Sequence, residues 1–187
     1  MTAITNALAK PELIALSHVN LQIDNAYFWR ESEESDRLEC GLLDWYNLSR
    51  APAVSVWGGC LSGCDPDVLL THEKALFRAF SDEYKRHGGP RVDASELLLL
   101  YHLSIPGQVV GMIPFITSEI YPQGPSKAEW PSIKSVWDPR IMGQWQCRCR
   151  VVALLQLCRY WHAGKIHSRV MEWVKRQRPE IDAAAKP

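Results

Sequence analysis

The sequence predicts an α+β protein, mainly helical, with its strands gathered near the amino end. Aromatic and branched runs flank an acidic turn at Ala26–Arg30 and Arg37–Trp45, the pattern of a β-hairpin. From Asp65 onward, apolar residues recur at helical spacing between Asp-Pro starts and Gly or Pro stops. The composition is that of a folded globule: 187 residues, 47% apolar and 22% charged, enough for one core of ordinary size. On this reading residues 1–180 form a single domain. It has a helix or arm over 1–16, a hairpin region over 17–47, a helical subdomain over 65–178, and a frayed tail at 179–187.

The elements follow in order. The linker "ESEESD" between the two aromatic runs is acidic and serine-containing, and suits the turn of the hairpin. A strand ending at Asp44 would leave that carboxylate at the strand's end, within reach of a ligand. Asp65 caps the first long helix and Pro66 takes its first position. Leu69, Leu76, Phe77, Phe80 and Tyr84 keep its apolar face, and Gly88-Gly89-Pro90 stops it. Asp93 and Glu96 open a second helix, apolar nearly all round and therefore expected to be buried. Pro106 and Gly107 are expected to break it before another apolar helix over Val109–Ile120. A Pro-rich loop, Tyr121–Ser132, leads to Asp138-Pro139, which predicts a long helix to about Trp161. Gly164 interrupts, and "HSRVMEWVKRQ" makes a short last helix.

Composition excludes several classes of function. Lys+Arg and Asp+Glu both total 21, so the chain lacks the basic excess of a nucleic-acid binder. No transmembrane segment is expected, since the longest apolar passages, around Leu97–Leu103 and Val109–Ile116, fall short of the length a bilayer needs, and the amino terminus lacks a secretory pattern. Six cysteines without such a signal suit reduced thiols and a cytoplasmic setting. Cys60 and Cys64 with His72, or Cys147 and Cys149 with Cys158, lack the paired spacing of a structural zinc site, so buried thiols are the expectation. The basic runs Cys147–Arg150 and Val174–Arg178 read as solvated helix faces, and His162 and His167 as flanks of a helix junction. No G-x-S-x-G elbow or phosphate-binding P-loop appears.

One constellation carries chemistry. Phosphoryl transfer needs an oriented acceptor hydroxyl and divalent ions bridging the nucleotide phosphates. Magnesium prefers hard oxygen ligands, so an amide or carboxylate from one loop and a carboxylate from another suit it. The stretch "SHVNLQIDN" (Ser17–Asn25) places His18, Asn20 and Asn25 at H-x-[D/N]-x-x-x-x-N spacing, and a hairpin then leads to "GLLDW" with Asp44.

These residues resemble the catalytic and metal-binding loops of the aminoglycoside phosphotransferase and choline kinase-like family, which has a protein-kinase-like fold. There the first loop typically reads H-G-D-[LIV]-[HR]-x-x-N and the second [IV]-I-D-[WFY]. "LLDW" matches the second well and "HVNLQIDN" the first in part, over roughly Leu16–Trp57, while the helical remainder agrees in kind with the family's C-terminal lobe. The resemblance implies such a C-terminal lobe, with the small β-hairpin carrying the metal-site loops. Asn25 and Asp44 would be the metal ligands, His18 a structural histidine, and Asn20 the occupant of the catalytic-base position. Gln22 stands where the family commonly has His or Arg, and Val19 replaces a glycine. Loss of a positioned base costs about 10²–10⁴-fold in rate.

The family's N-terminal lobe covers the nucleotide, and the seventeen residues before His18 are too few to form it. The resemblance therefore implies a truncated, catalytically impaired phosphotransferase-like domain, a pseudokinase. A second expectation is an active phosphotransferase using ATP, Mg²⁺ and a small-molecule hydroxyl substrate, completed by an N-lobe-bearing partner chain or by self-association. A third is a non-catalytic binding or scaffold module. None of these calls for nucleic acid or a membrane.

Overall fold

The computed structural model describes residues 2–184, with side chains for 4–177. The fold is α+β and mostly helical, with strands confined to two small antiparallel sheets. The chain divides into two units, Met1–Leu61 and Ser62–Pro187.

In the first unit, helix α1 (Thr2–Leu8) and a 3₁₀ turn lead into strand β1 (Ile14–His18). Strands β2 (Ala26–Trp29) and β3 (Glu39–Leu42) form the expected hairpin, Ala26 opposite Leu42 and Trp29 opposite Glu39. Tyr27 lies across from Gly41, where any side chain would collide with the tyrosine ring. Strand β4 (Leu48–Pro52) returns to pair with β1, Ile14 opposite Pro52 and His18 opposite Leu48. The hairpin is thus an insertion between two strands that pair with each other, so both loops joining the sheets leave from one end of the β1–β4 ribbon. Helix α2 (Val54–Leu61) follows and buries Val54 and Trp57.

The second unit is a helical bundle. Helix α3 (Pro66–Arg86) starts as its sequence dictates, with the Asp65 side chain accepting from the Asp67 amide and Pro66 at the first position. It ends at His87 and Gly88, whose φ of 87° suits a residue without a Cβ. Helix α4 (Ala94–Phe115) is capped by Asp93, which accepts from the amides of Ser95 and Glu96, and buries Leu97, Leu100, Tyr101, Leu103 and Ile105.

Several expectations for this half need correction. Pro106 does not break α4. The helix passes through it and then Pro114, and continues by a π-helical turn at Ile116–Ile120 into the short α5 (Tyr121–Gln123). The π turn follows Pro114, whose carbonyl accepts from Thr117 Oγ1 at 3.0 Å and Ser118 Oγ at 3.1 Å. The resulting run Ala94–Gln123, with a mean hydropathy of 1.4 over its most apolar window, is long and apolar enough by length and composition to cross a membrane. Its first turns nevertheless form the interior of the bundle.

The helix expected from Asp138 to Trp161 is divided. Asp138 caps only α6 (Pro139–Met142), Gly143 and an extended Gln144 intervene, and α7 runs Trp145–Ala163. Gly164 ends α7 as expected. The last helix, α8 (Ile166–Ala184), extends through Pro179 into the stretch expected to fray; Ala185–Pro187 lie outside the described residues. Helices α3, α4, α7 and α8 pack around Leu69, Phe77, Tyr101, Leu157, Tyr160 and Ile166. A smaller cluster gathers Ile120, Ile141 and Cys147 under Trp130 and Ile133.

Candidate functional site

His18, Asn20, Asn25 and Asp44 come together at the open end of the β1–β4 ribbon. His18 is the last residue of β1 and is buried, its Nε2 2.7 Å from the Leu43 carbonyl. Its ring also packs against Trp45, centroids 5.0 Å apart, and the Trp45 indole N–H donates to Leu42 O at 3.1 Å. The chain before Asp44 is held from the other side by the Leu43 amide, which donates to Asn25 O at 2.8 Å. Between these anchors Asp44 adopts left-handed backbone, φ 55° and ψ 53°. That conformation is costly for most L-residues and tolerated by Asp and Asn. The backbone at Asp44 is thus held between two anchored neighbours, and its carboxylate is exposed.

The loop 19–25 is built on its own hydrogen bonds. Asn25 Nδ2 donates to Asn20 O at 2.8 Å, leaving its amide oxygen without a partner among the described residues. Gly59 of α2 backs the loop so closely that a Cβ there would stand 2.8 Å from Leu21 O. Val19, in the glycine position of the resemblance, bears no left-handed strain: Asp44 and Lys165 are the non-glycine residues with positive φ among those described.

Asn20 donates from Nδ2 to Asp44 Oδ2 at 3.5 Å, while its own Oδ1 accepts from Gln22 Nε2 at 2.5 Å. Gln22 therefore sets which way the Asn20 amide points. Position 20 thus presents an N–H donor to the Asp44 carboxylate through a long, weak bond. Asn25 and Asp44 still offer hard oxygen atoms. One carboxylate and one amide suit magnesium that brings waters and phosphate oxygens with it, and are too few to cage the ion unaided. No group of three or more His, Cys, Asp or Glu side chains gathers around a common point among the described residues.

A second polar cluster, which no motif announced, lies inside the helical unit. Glu73 of α3, His102 of α4 and Tyr160 of α7 are all nearly inaccessible. Tyr160 donates to Glu73 Oε2 at 2.5 Å and lies 2.9 Å from His102 Nε2. Arg169 of α8 stands 3.7 Å from Glu73 Oε1 and 3.4 Å from His102 Nδ1. Burial alone would raise the Glu73 carboxyl, but hydrogen bonds from His102 and Tyr160 and the charges of His102 and Arg169 outweigh it and hold it below its usual range. Tyr160 is pushed far up, by burial first and then by the Glu73 hydrogen bond and charge. The sequence did carry a trace of this cluster: Glu73 falls midway between Leu69 and Phe77 on the apolar stripe of α3, and His102 sits in a helix apolar on all sides. All six cysteines are unpaired, and burial raises the Cys147 thiol.

No protein-family model matches the chain, and neither a curated protein nor a solved structure shows significant similarity to it.

Proposed function

We propose that the chain is a kinase-like phosphotransferase domain, of the aminoglycoside phosphotransferase and choline kinase type, whose catalysis is impaired at Asn20. The observation that carries this reading is the run of hydrogen bonds that joins these residues at one end of the ribbon: His18 to Leu43 O beside Asp44, Asn20 to the Asp44 carboxylate, and Asn25 to Asn20 O. A nested hairpin between paired strands supports it, since that topology brings the loop 19–25 and the turn at Asp44 to one end of the ribbon. Asn25 and Asp44 would hold Mg²⁺ together with the phosphates of ATP, and the ion would neutralise charge on the transferring group. Asn20 cannot accept the proton of a substrate hydroxyl: its oxygen is taken by Gln22 and its nitrogen is a donor. It can orient an acceptor oxygen, so binding outlives the chemistry.

The test is ATP turnover with Mg²⁺ in wild type, Asn20→Asp and Asp44→Ala proteins. Asn20→Asp is expected to raise turnover by about 10²-fold or more over wild type, and Asp44→Ala to abolish the gain when combined with it. Equal turnover in all three would remove the reading. A second reading, an active enzyme completed by another chain, is favoured by apolar side chains left open in the first unit: Leu16 is 69%, Ile23 76% and Tyr46 92% exposed. It predicts that the purified chain self-associates, or recovers turnover when a nucleotide-covering lobe is supplied, without any change at Asn20.

A further inference from the structure

The buried network in the helical unit ends on an arginine that it does not fully use. Arg169 directs Nη1 inward to Glu73 and His102, which are 4% and 2% exposed and tied to Tyr160. Its Nε and Nη2 have no partner among the described residues, although the side chain remains 47% exposed. A guanidinium with one nitrogen paired to a buried carboxylate is partly ordered beforehand, so a ligand meeting its remaining N–H groups bears less of that ordering cost.

Arg169 lines a cleft of about 520 Å³ between α3 and the start of α8. Lys74, Lys165 and Ser168 line it beside Arg169, and neither lysine makes an ion pair among the described residues. Glu172 is the acid at the rim, and Arg176 neutralises it in an i, i+4 pair. Glu73 also borders the cleft, but its carboxylate is turned inward to Tyr160, His102 and Arg169. The charge left facing the cleft is positive, and the amino end of α8 adds to it.

We infer that this cleft is an anion site for a phosphate dianion or a phosphate monoester, with Arg169 as its forked donor and Lys74 and Lys165 as its charges. An arginine fork takes two oxygens of one phosphate, and ammonium groups neutralise the remainder. The volume exceeds what a bare phosphate fills and leaves room for a small organic group. The site shares no residue with the His18–Asp44 cluster and needs no metal, so it stands independently of the proposed activity.

The experiment titrates inorganic phosphate, and separately glycerol 3-phosphate, into the full chain by calorimetry, with EDTA present and ionic strength held constant with chloride. Saturable binding is expected. Lys74→Ala combined with Lys165→Asn should weaken it at least about tenfold, and Asp44→Ala should leave it unchanged. Asn is chosen because Lys165 has a φ of 50°, which Asn tolerates. The double variant leaves the buried network intact, unlike Arg169→Ala, which would strand Glu73. Saturation by phosphate alone supports a free-phosphate site, and saturation by the monoester alone supports a site that also reads the organic group. No saturable binding of either probe, affinity retained in the double lysine variant, or affinity lost in Asp44→Ala would overturn the inference.

Discussion

Asn20 and Asp44 share a hydrogen bond across 3.5 Å, and its consequence is electrostatic. A carboxylate at position 20 would face that of Asp44 at similar range, a repulsion of about 1 kcal/mol in water-like dielectric. Asn20→Asp is therefore expected to lower stability by about that amount in EDTA and to regain it in Mg²⁺, read as melting temperatures with and without the ion; wild type should respond less. The backbone at Asp44 gives a separate prediction. At φ 55°, Asp44→Asn should be nearly neutral, whereas Asp44→Val should cost about 1–2 kcal/mol in urea unfolding, because a branched Cβ crowds the carbonyl in left-handed backbone. At this scale the spacing of His18, Asn20, Asn25 and Asp44 was legible, since residue type and interval survive in one dimension. The grip of Gln22 on Asn20 was not. Glutamine is common on surfaces, and only the tight turn at 20–22 brings its amide back onto Asn20.

Elements were legible where a local cap decides them and obscure where packing overrides a local preference. Asp65-Pro66 and Asp93 start helices because a short carboxylate satisfies amide groups that no earlier turn can reach. Pro106 removes one backbone hydrogen bond from α4, yet the surrounding Leu103 and Ile105 are buried, and that burial outweighs the lost bond. Pro106→Ala should accordingly stabilise the protein, by up to about 3 kcal/mol, visible as a higher urea midpoint at unchanged slope. Asp138-Pro139 misled for the opposite reason: a good cap says where a helix begins and nothing about where Gly143 will end it. The contact of Gly59 with Leu21 has no signature in sequence at all, because it joins a helix to a loop far away along the chain. Gly59→Ala should displace that loop, with a loss of about 1–3 kcal/mol and chemical-shift changes at Asn20 and Asn25.

For the molecule as a whole, composition and periodicity gave the α+β, mainly helical class, because alternation and helical spacing each reflect which faces are buried. The polar centre of the helical unit could not be read that way, since Glu73, His102, Tyr160 and Arg169 are brought together only by the packing of their helices. It should contribute to the response to acid. The Glu73 carboxyl lies lower in the folded protein than its value near 4.3 in the unfolded chain, so the unfolded state binds more protons as pH falls. Its contribution is full above that value and is lost as pH drops through the folded one. Unfolding free energies from about pH 7 to about pH 3 should fall more steeply in wild type than in Glu73→Gln, and parallel curves would contradict this.

Asn25 and Asp44 are proposed to form the metal half of a phosphotransferase site. The most direct measurement is Mn²⁺ added to the ¹⁵N-labelled chain with ATP, followed by paramagnetic broadening of amide resonances. Broadening is expected at residues 18–25 and 43–45, dependent on ATP and absent in Asp44→Ala. Broadening that ignores Asp44→Ala, or none in these loops at saturating nucleotide, would contradict it.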